Sequence, residues 1–160
     1  MTFRSYLMGG FECSTHRDKG GRRLDLIAST RHDEFAGRDY SRLTDIGIGV
    51  CRDGVRWHLI EPEPFRYDFS SLNNQINAAR TTGVQVIWDY FHYGFPDDLD
   101  IFSPEFVERL LLLASHLQTT CCLSWAPSLL PARSTKSLSF RGRRGTWEVF
   151  TRRCGGVATS

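Results

Sequence analysis

Residues 84–96 read VQVIWDYFHYGFP and contain the clearest strand pattern in the chain. Four of the first five residues are apolar, which is typical of a buried strand in a parallel sheet. Polar side chains follow at Asp89 and His92, and Gly94 and Pro96 then end the regular structure. The stretch therefore predicts a strand that carries polar residues at its carboxyl end.

Helical patterns lie on both sides of this strand. Residues 70–82 place apolar side chains at positions i, i+4 and i+7, and Gly83 follows where a C-terminal cap belongs. Residues 103–118 begin with a capping serine and a proline, and they continue with a broad apolar face. One helix is therefore predicted before the strand and one after it.

Two further strand patterns precede these elements. Residues 4–11, RSYLMGGF, predict a short buried strand whose glycines allow close backbone approach, and residues 48–57 form a second β-type run. Between them, residues 39–46 repeat apolar side chains at threes and end before Gly47, as a helix does. The alternation of strands and helices predicts a parallel α/β architecture.

Ligands of parallel α/β folds bind at the carboxyl ends of the strands. Glu12, Arg52, Asp89 and His92 lie at or just after the ends of the predicted strands, and this position makes them candidate site residues. A Rossmann fold is disfavoured, because no G-x-G-x-x-G motif follows the first strand and no Walker motif occurs.

Three blocks, residues 8–14 (MGGFECS), 39–57 (DYSRLTDIGIGVCRDGVRW) and 84–96, resemble the N-terminal part of family 1 glycoside hydrolases. The second block is similar to the family's helix, glycine and Y-R-F-S-I-S-W strand. The third is similar to the L-Y-H-W-x-x-P strand end, with His92 and Pro96 in register. The resemblance implies an incomplete (β/α)8 TIM barrel with its first three β/α units, since a whole barrel needs about 250 residues.

The resemblance also implies roles for individual residues. In this family the residue that matches His92 binds a sugar hydroxyl, and the one that matches Arg52 lies beside the nucleophilic carboxylate, whose charged form it favours. Glycosidases need two carboxyl groups, about 5 to 5.5 Å apart in retaining enzymes. The expected substrate is a carbohydrate or β-glycoside, and the predicted substrate-binding residues are His92, Arg52, Trp57, Glu12 and Asp89.

Each of these predictions has a structural alternative. His92 is also compatible with a buried structural histidine, and Arg52 with an ion-pair partner of Asp53 or Asp89. Trp57 is also compatible with a core residue. No catalytic residue is predicted, because the family's general acid lies in an Asn-Glu pair and this chain has no such dipeptide. We therefore expect a glycosidase fragment that is inactive by itself.

The chain changes character near Pro127, which separates residues 1–120, the expected barrel part, from residues 121–160, an irregular basic tail. Residues 1–120 hold 13 Lys and Arg against 17 Asp and Glu, a net charge of −4, whereas residues 121–160 hold seven basic residues and one acid, a net charge of +6. One hypothesis is that residues 128–160 are an out-of-frame translation, since RSTKSLSFRG at 133–142 is compatible with a shifted reading NEISFFSWA. The alternative is a basic extension, of which a nucleic-acid-binding arm is a remote version.

Other site classes are not expected. The five cysteines are odd in number and lack paired C-x2-C spacings, so we predict reduced thiols, no metal site and no cofactor. No apolar run approaches the about 20 residues of a membrane span, which favours a cytoplasmic location without a membrane partner. Oligomeric state stays open.

Two other functional interpretations remain open. The first is a small non-catalytic α/β module in which Arg52, Asp89 and His92 hold a sugar or another polar ligand. The second is an unrelated enzyme that uses Asp89 or Asp97 as a base, because a fold does not fix a function.

Overall fold

The computed structural model describes residues 3–125, 135–140 and 147–152, and it describes side chains within residues 3–120. The chain forms two compact units, Met1–Trp125 and Ala126–Ser160. The last helix of the first unit continues past residue 120, where the sequence predicts the change to an irregular tail. Within the described ranges, no helix is both long and apolar enough to cross a lipid bilayer.

Three parallel strands form the sheet of the first unit, in the order β1-β2-β3. They are β1 (Met8–Gly10), β2 (Val50–Gly54) and β3 (Gln85–Asp89). Cys51 of the central strand lies in register with Gly9 on one side and Val86 on the other. The predicted parallel α/β architecture is confirmed, and the sheet is consistent with part of a β/α barrel.

Helices fill the connections between these strands, as parallel pairing requires. After β1 come α1 (Leu26–Ser29) and α2 (His32–Asp45), and after β2 come α3 (Trp57–Ile60), a 3-10 turn (Ser70–Leu72) and α4 (Asn73–Thr82). The long helix α5 (Pro104–Trp125) follows β3.

The helix ends largely follow the sequence signals. Gly83 caps α4 in the left-handed conformation with φ of 74°, and Gly47 adopts φ of 80° just after α2. Helix α2 begins earlier than predicted, at His32 rather than near Asp39. The first half of α2 has no apolar stripe in the sequence, because only Ala36 and His32 are buried there.

Two clusters of buried apolar side chains hold the sheet and helices together. One packs α2 and α4 against β2 and contains Tyr40, Cys51 and Ala79. The other surrounds Trp57 and Leu113 and joins α3, α4 and α5. Each large apolar side chain in these clusters contributes about 1.5 to 3 kcal/mol when fully buried.

The first strand is shorter and more exposed than predicted. Residues 4–11 yield only Met8–Gly10, and Met8 is 47% exposed. In the described sheet β1 pairs with β2 alone, so it is an edge strand with one uncovered side. The predicted close approach at its glycines is present, since a Cβ on Gly9 would lie 3.1 Å from Leu43 Cδ2.

The tail differs from the irregular segment expected from its composition. Strands β4 (Thr135–Phe140) and β5 (Trp147–Arg152) pair antiparallel, with Leu138 opposite Val149. Serine and apolar residues alternate in SLSF at 137–140, which is a strand pattern with period two. The side chains on which the basic-arm alternative depends lie outside the described residues, and so do most of residues 128–160, the segment of the frameshift hypothesis.

Candidate functional site

The carboxyl ends of the three parallel strands bring together four of the five predicted site residues. Arg52 lies in β2 and Asp89 ends β3, while Glu12 and His92 lie in the loops that follow β1 and β3. The backbone supports this convergence, because Phe11 N donates to Arg52 O at 3.0 Å across the β1-β2 edge. We refer to Glu12, Cys13, Arg52, Asp89 and His92 as the strand-end cluster.

Arg52 and Asp89 form an ion pair within the cluster. Arg52 Nε donates to Asp89 Oδ2 at 3.1 Å, and Arg52 Nη2 makes a second contact with the same oxygen. The Arg52 side chain is 51% exposed and that of Asp89 is 20% exposed. Of the two acidic partners considered from the sequence, Asp89 is therefore the one that pairs with Arg52, and the guanidinium still faces solvent.

His92 lies at the centre of the strand-end cluster. Its Nδ1 is 3.2 Å from Cys13 Sγ, 3.5 Å from Arg52 Nη2, 3.8 Å from Glu12 Oε1 and 3.9 Å from Asp89 Oδ2. The loop is fixed by its backbone as well, since Thr15 N donates to His92 O at 3.3 Å. The ring nitrogen thus faces two carboxylates, a thiol and a guanidinium at short range.

Glu12 supplies an exposed, ionised carboxylate at the rim of this cluster. Its side chain is 54% exposed, and Oε1 accepts a hydrogen bond from Ser14 N at 3.0 Å. Hydrogen bonds from Ser14 lower the pKa of Glu12, and electrostatic interactions with His92 and Arg52 act in the same direction. At neutral pH this side chain is therefore a hydrogen-bond acceptor for solvent or for a ligand.

Tyr93 places an aromatic ring beside His92. The two ring centroids are 5.1 Å apart, and Tyr93 is 67% exposed. Its backbone adopts φ of 61°, a left-handed conformation that is uncommon for a bulky residue and that clusters at functional sites. The arrangement gives the strand-end cluster an exposed apolar surface next to hydrogen-bonding groups.

Trp57 lies apart from the other predicted site residues. Its side chain is completely buried, it packs against Phe106 with ring centroids 5.5 Å apart, and its Nε1 donates to Glu61 Oε2 at 2.6 Å. A fully buried indole offers no surface to a sugar ring. The structure therefore favours the core alternative for Trp57 over a role in substrate binding.

A buried polar network lies on the other face of β2 and anchors the strand. Asp53 is completely buried, and its Oδ2 accepts from Tyr40 Oη at 2.5 Å and from Gln75 Nε2 at 2.9 Å. His32 bridges Asp53 and Asp39, with 2.9 Å from each ring nitrogen to a carboxylate oxygen. Side chains alternate along a strand, so this network holds β2 while Arg52 faces the strand-end cluster.

The electrostatics of His32 fit this anchoring role. Burial by itself would lower the pKa of His32, but hydrogen bonds to Asp53 and Asp39 and their negative charges raise it above its ordinary value. The imidazolium form can donate from both ring nitrogens, which satisfies both carboxylates. The network therefore joins α2 and α4 to the centre of the sheet.

Two glycines allow the loops of the cluster to approach closely. A Cβ on Gly54 would lie 2.5 Å from Cys13 Sγ, and one on Gly94 would lie 1.6 Å from Thr15 Oγ1. Neither position tolerates a side chain without movement of the loop after β1. The two glycines therefore set the positions of Cys13 and of the His92 loop.

The acidic turn after Pro96 is held by arginines rather than fully solvated. Asp97 forms ion pairs with Arg17 and Arg23, and Asp98 Oδ2 accepts from Arg109 Nη1 at 2.7 Å. These contacts fasten the loop after β3 to α5 and to the loop after β1. They favour a structural role for the turn over the use of Asp97 as a base.

An open cleft of about 400 Å³ lies between the loop after α3 and this acidic turn. Its lining includes His58, Glu61, Pro62, Pro96 and Asp98, and it contains none of the residues predicted from the sequence to bind substrate. Four of the predicted residues, Glu12, Arg52, Asp89 and His92, instead lie in the strand-end cluster. The cleft and the cluster are therefore separate features of the first unit.

Sequence patterns did not identify Cys13 or the Asp53 network. Cys13 directly follows Glu12 in the loop after β1, so the strand-end rule that selected Glu12 also applies to it. Asp53 and His32 are 21 positions apart and carry no local signal of their contact. Of these three residues, only Cys13 could have been selected as a site residue from the sequence.

No protein-family model matches the chain, and no curated protein matches it. Among solved structures, the chain is similar to the exo-β-1,4-mannosidase Op5Man5 from Opitutaceae bacterium strain TAV5, with a TM-score of 0.50 and 19% sequence identity. The match covers 66% of this chain and 23% of that chain. The similarity shows that this chain shares the fold of part of a glycoside hydrolase.

Proposed function

We propose that this chain is part of a β/α-barrel glycoside hydrolase and that its strand-end cluster binds hydroxyl groups of a β-glycoside. The observation that carries the proposal is the convergence of Glu12, Arg52, Asp89 and His92 at the carboxyl ends of three parallel strands. This edge is where enzymes of such folds bind their substrates. The solved structure described above, that of an exo-β-1,4-mannosidase, supports the same class of function.

The chemistry of the cluster suits a sugar. Carboxylates and imidazoles accept and donate hydrogen bonds to hydroxyl groups, and the guanidinium of Arg52 adds exposed donors. The exposed ring of Tyr93 offers an apolar face beside them, to which the C–H face of a pyranose can pack. Polar groups that fix orientation next to an aromatic surface are a common composition of small-ligand sites.

At a finer level we propose membership of family 1 and the first three units of its (β/α)8 barrel. This step is supported by the motifs around Arg52, His92 and Pro96 and by the three parallel strands that carry them. Hydrolysis needs a second set of groups, a general acid and a nucleophile on separate strand ends. In this proposal the described residues supply the sugar-binding part and no matched catalytic pair.

The experiment compares two proteins with chromogenic aryl β-glycosides as substrates. One is the chain with the printed sequence, and the other continues from residue 128 in the alternative reading frame through its downstream codons. We expect hydrolysis by the frame-restored protein and none by the printed chain. Absence of hydrolysis in both, with no saturable binding of methyl β-glucoside or methyl β-mannoside by either, would reject the proposal.

The alternative, a non-catalytic binding module, predicts a different result for the same two proteins. The ion pair between Arg52 and Asp89 favours this alternative, because it neutralises the Asp89 carboxylate of the strand-end cluster. If the frame-restored protein shows no hydrolysis while the printed chain binds a methyl glycoside saturably, the module describes the chain better than a hydrolase fragment.

A further inference from the structure

Three side chains of different ligand chemistry converge within the strand-end cluster. One ligand atom each from Cys13, Asp89 and His92 lies within 4.8 Å of the other two. Cys13 follows β1, whereas Asp89 and His92 lie at and after the end of β3. No sequence motif indicates this grouping, because metal motifs are recognised by short spacings and 76 to 79 positions separate Cys13 from the other two.

The distances fit a tetrahedral metal ion after small side-chain movements. With zinc bond lengths of about 2.3 Å to sulfur and about 2.0 to 2.2 Å to nitrogen and oxygen, neighbouring ligands lie about 3.6 Å apart for S and N and about 3.4 Å apart for N and O. The observed separations are 3.2 Å from Cys13 Sγ to His92 Nδ1 and 3.9 Å from His92 Nδ1 to Asp89 Oδ2. Two of the three separations are therefore close to the required values, and the third, between Cys13 and Asp89, is within 4.8 Å.

The ligand positions are fixed by the fold. Cys13 is 1% exposed, and its Sγ lies so close to Gly54 that a Cβ at position 54 would not fit. Asp89 O accepts from Val55 N at 3.2 Å, and the His92 loop is held by its backbone bond to Thr15. Ligands that sit on strands and on anchored loops need little reorganisation to bind an ion.

We propose that Cys13, Asp89 and His92 form a site for Zn²⁺ or a similar borderline divalent ion, with solvent in the fourth position. A thiolate and an imidazole select such ions over Mg²⁺ and Ca²⁺, which prefer oxygen ligands. One thiolate and one carboxylate balance the two charges of the ion. Three protein ligands with an open fourth position are an arrangement that zinc sites adopt.

Arg52 opposes the ion in this site. Its guanidinium contacts Asp89 and lies 3.5 Å from His92 Nδ1, so metal binding must displace it from the carboxylate. The side chain is 51% exposed and can turn toward solvent. Removal of this positive charge should therefore strengthen metal binding, whereas removal of a ligand should weaken it.

Cobalt is the probe that distinguishes thiolate ligation from adventitious binding. The full chain is used with Cys121, Cys122 and Cys154 replaced by serine, so that only two thiols remain. Titration with Co²⁺ should produce a thiolate-to-cobalt charge-transfer band in the near ultraviolet together with the intense visible bands of tetrahedral cobalt. Added Zn²⁺ should bleach both sets of bands.

Matched alanine variants assign the thiol. Cys13→Ala should abolish the charge-transfer band, while Cys51→Ala, which removes an equally buried free thiol from β2, should retain it. His92→Ala should weaken Co²⁺ binding by about 100-fold or more, since even loss of an outer-shell partner costs about 10- to 100-fold. Arg52→Gln should tighten binding by about tenfold.

Several results would overturn the proposal. They are the absence of the band in the parent protein, its persistence in Cys13→Ala, or its loss in Cys51→Ala with the far-ultraviolet circular dichroism unchanged. Weaker Co²⁺ binding by Arg52→Gln would also contradict it, because that variant removes a competing charge and no ligand. None of these measurements depends on sugar binding or glycoside hydrolysis, so the site can fail independently of the proposed function.

Discussion

His58 should make the protein sensitive to acid. Its side chain is 13% exposed, and its Nδ1 has no hydrogen-bond partner among the residues that the structure describes. Burial lowers the pKa of His58 to about 4, and the positive charges of Arg23 and Arg56 add to this effect, while Asp25 and Asp97 oppose it. The folded state therefore resists protonation of a group that the unfolded chain protonates readily.

The size of the effect follows from the two pKa values. In the unfolded chain His58 has a pKa of 6.5, and in the folded state it has a pKa of about 4. Between these values the unfolded state binds more protons, so the free energy of unfolding falls as the pH is lowered. The contribution is about 2 kcal/mol between pH 7 and pH 5 and reaches about 3 kcal/mol below pH 4.

Urea unfolding at pH 8, pH 7 and pH 5 measures this contribution. With a slope of about 2 kcal/mol per molar urea, the midpoint should fall by about 1 M more in the wild type than in His58→Gln between pH 7 and pH 5. At pH 8 His58 is neutral in both the folded and the unfolded state. The urea midpoints measured at pH 8 therefore give the reference difference between the wild type and His58→Gln. An equal fall of the midpoint in the two proteins would refute the reasoning.

Urea midpoints also test three other substitutions. Gly94→Ala should destabilise the chain by about 1 to 3 kcal/mol, because its Cβ would overlap Thr15 Oγ1. Gly37→Ala lies inside α2, and outside the helix's own backbone and the neighbouring residues no described atom lies within 4 Å of the new Cβ. This variant should instead stabilise the chain by about 0.5 to 1 kcal/mol, and the same sign of effect in both glycine variants would contradict the packing. Glu61→Leu should cost about 3 to 5 kcal/mol, because it leaves the buried Arg109 Nε without its acceptor at 2.9 Å; a loss below about 1 kcal/mol would argue against that pair.

Much of the fold could be predicted because local signals and long-range packing agree. Strand β3 is an apolar run with clear breakers after it, and α4 has both an apolar stripe and a glycine cap. The strand-end rule then grouped Arg52, Asp89 and His92 without any knowledge of side-chain positions. That rule works because parallel strands place their carboxyl ends at the same edge of a sheet.

The features that escaped prediction depend on contacts between distant segments. The first half of α2 is defined by the burial of His32 under the sheet, where it meets Asp53, rather than by an apolar stripe. Trp57 is apolar and follows β2, and its burial depends on the position of α5. Likewise, the exposure of Met8 follows from the edge position of β1, which its composition does not indicate.

Sugar binding by the strand-end cluster is the central claim, and a titration followed by nuclear magnetic resonance tests it directly. The labelled chain is titrated with methyl β-glucoside and methyl β-mannoside, beside His92→Ala and a control, Asp45→Asn, in the last turn of α2 away from the strand ends. We expect saturable shifts of the amides of residues 12–15, 52 and 89–93, a loss of affinity of about tenfold or more in His92→Ala, and no change in Asp45→Asn. Shifts that never saturate, or equal affinities in the wild type and His92→Ala, would contradict the account.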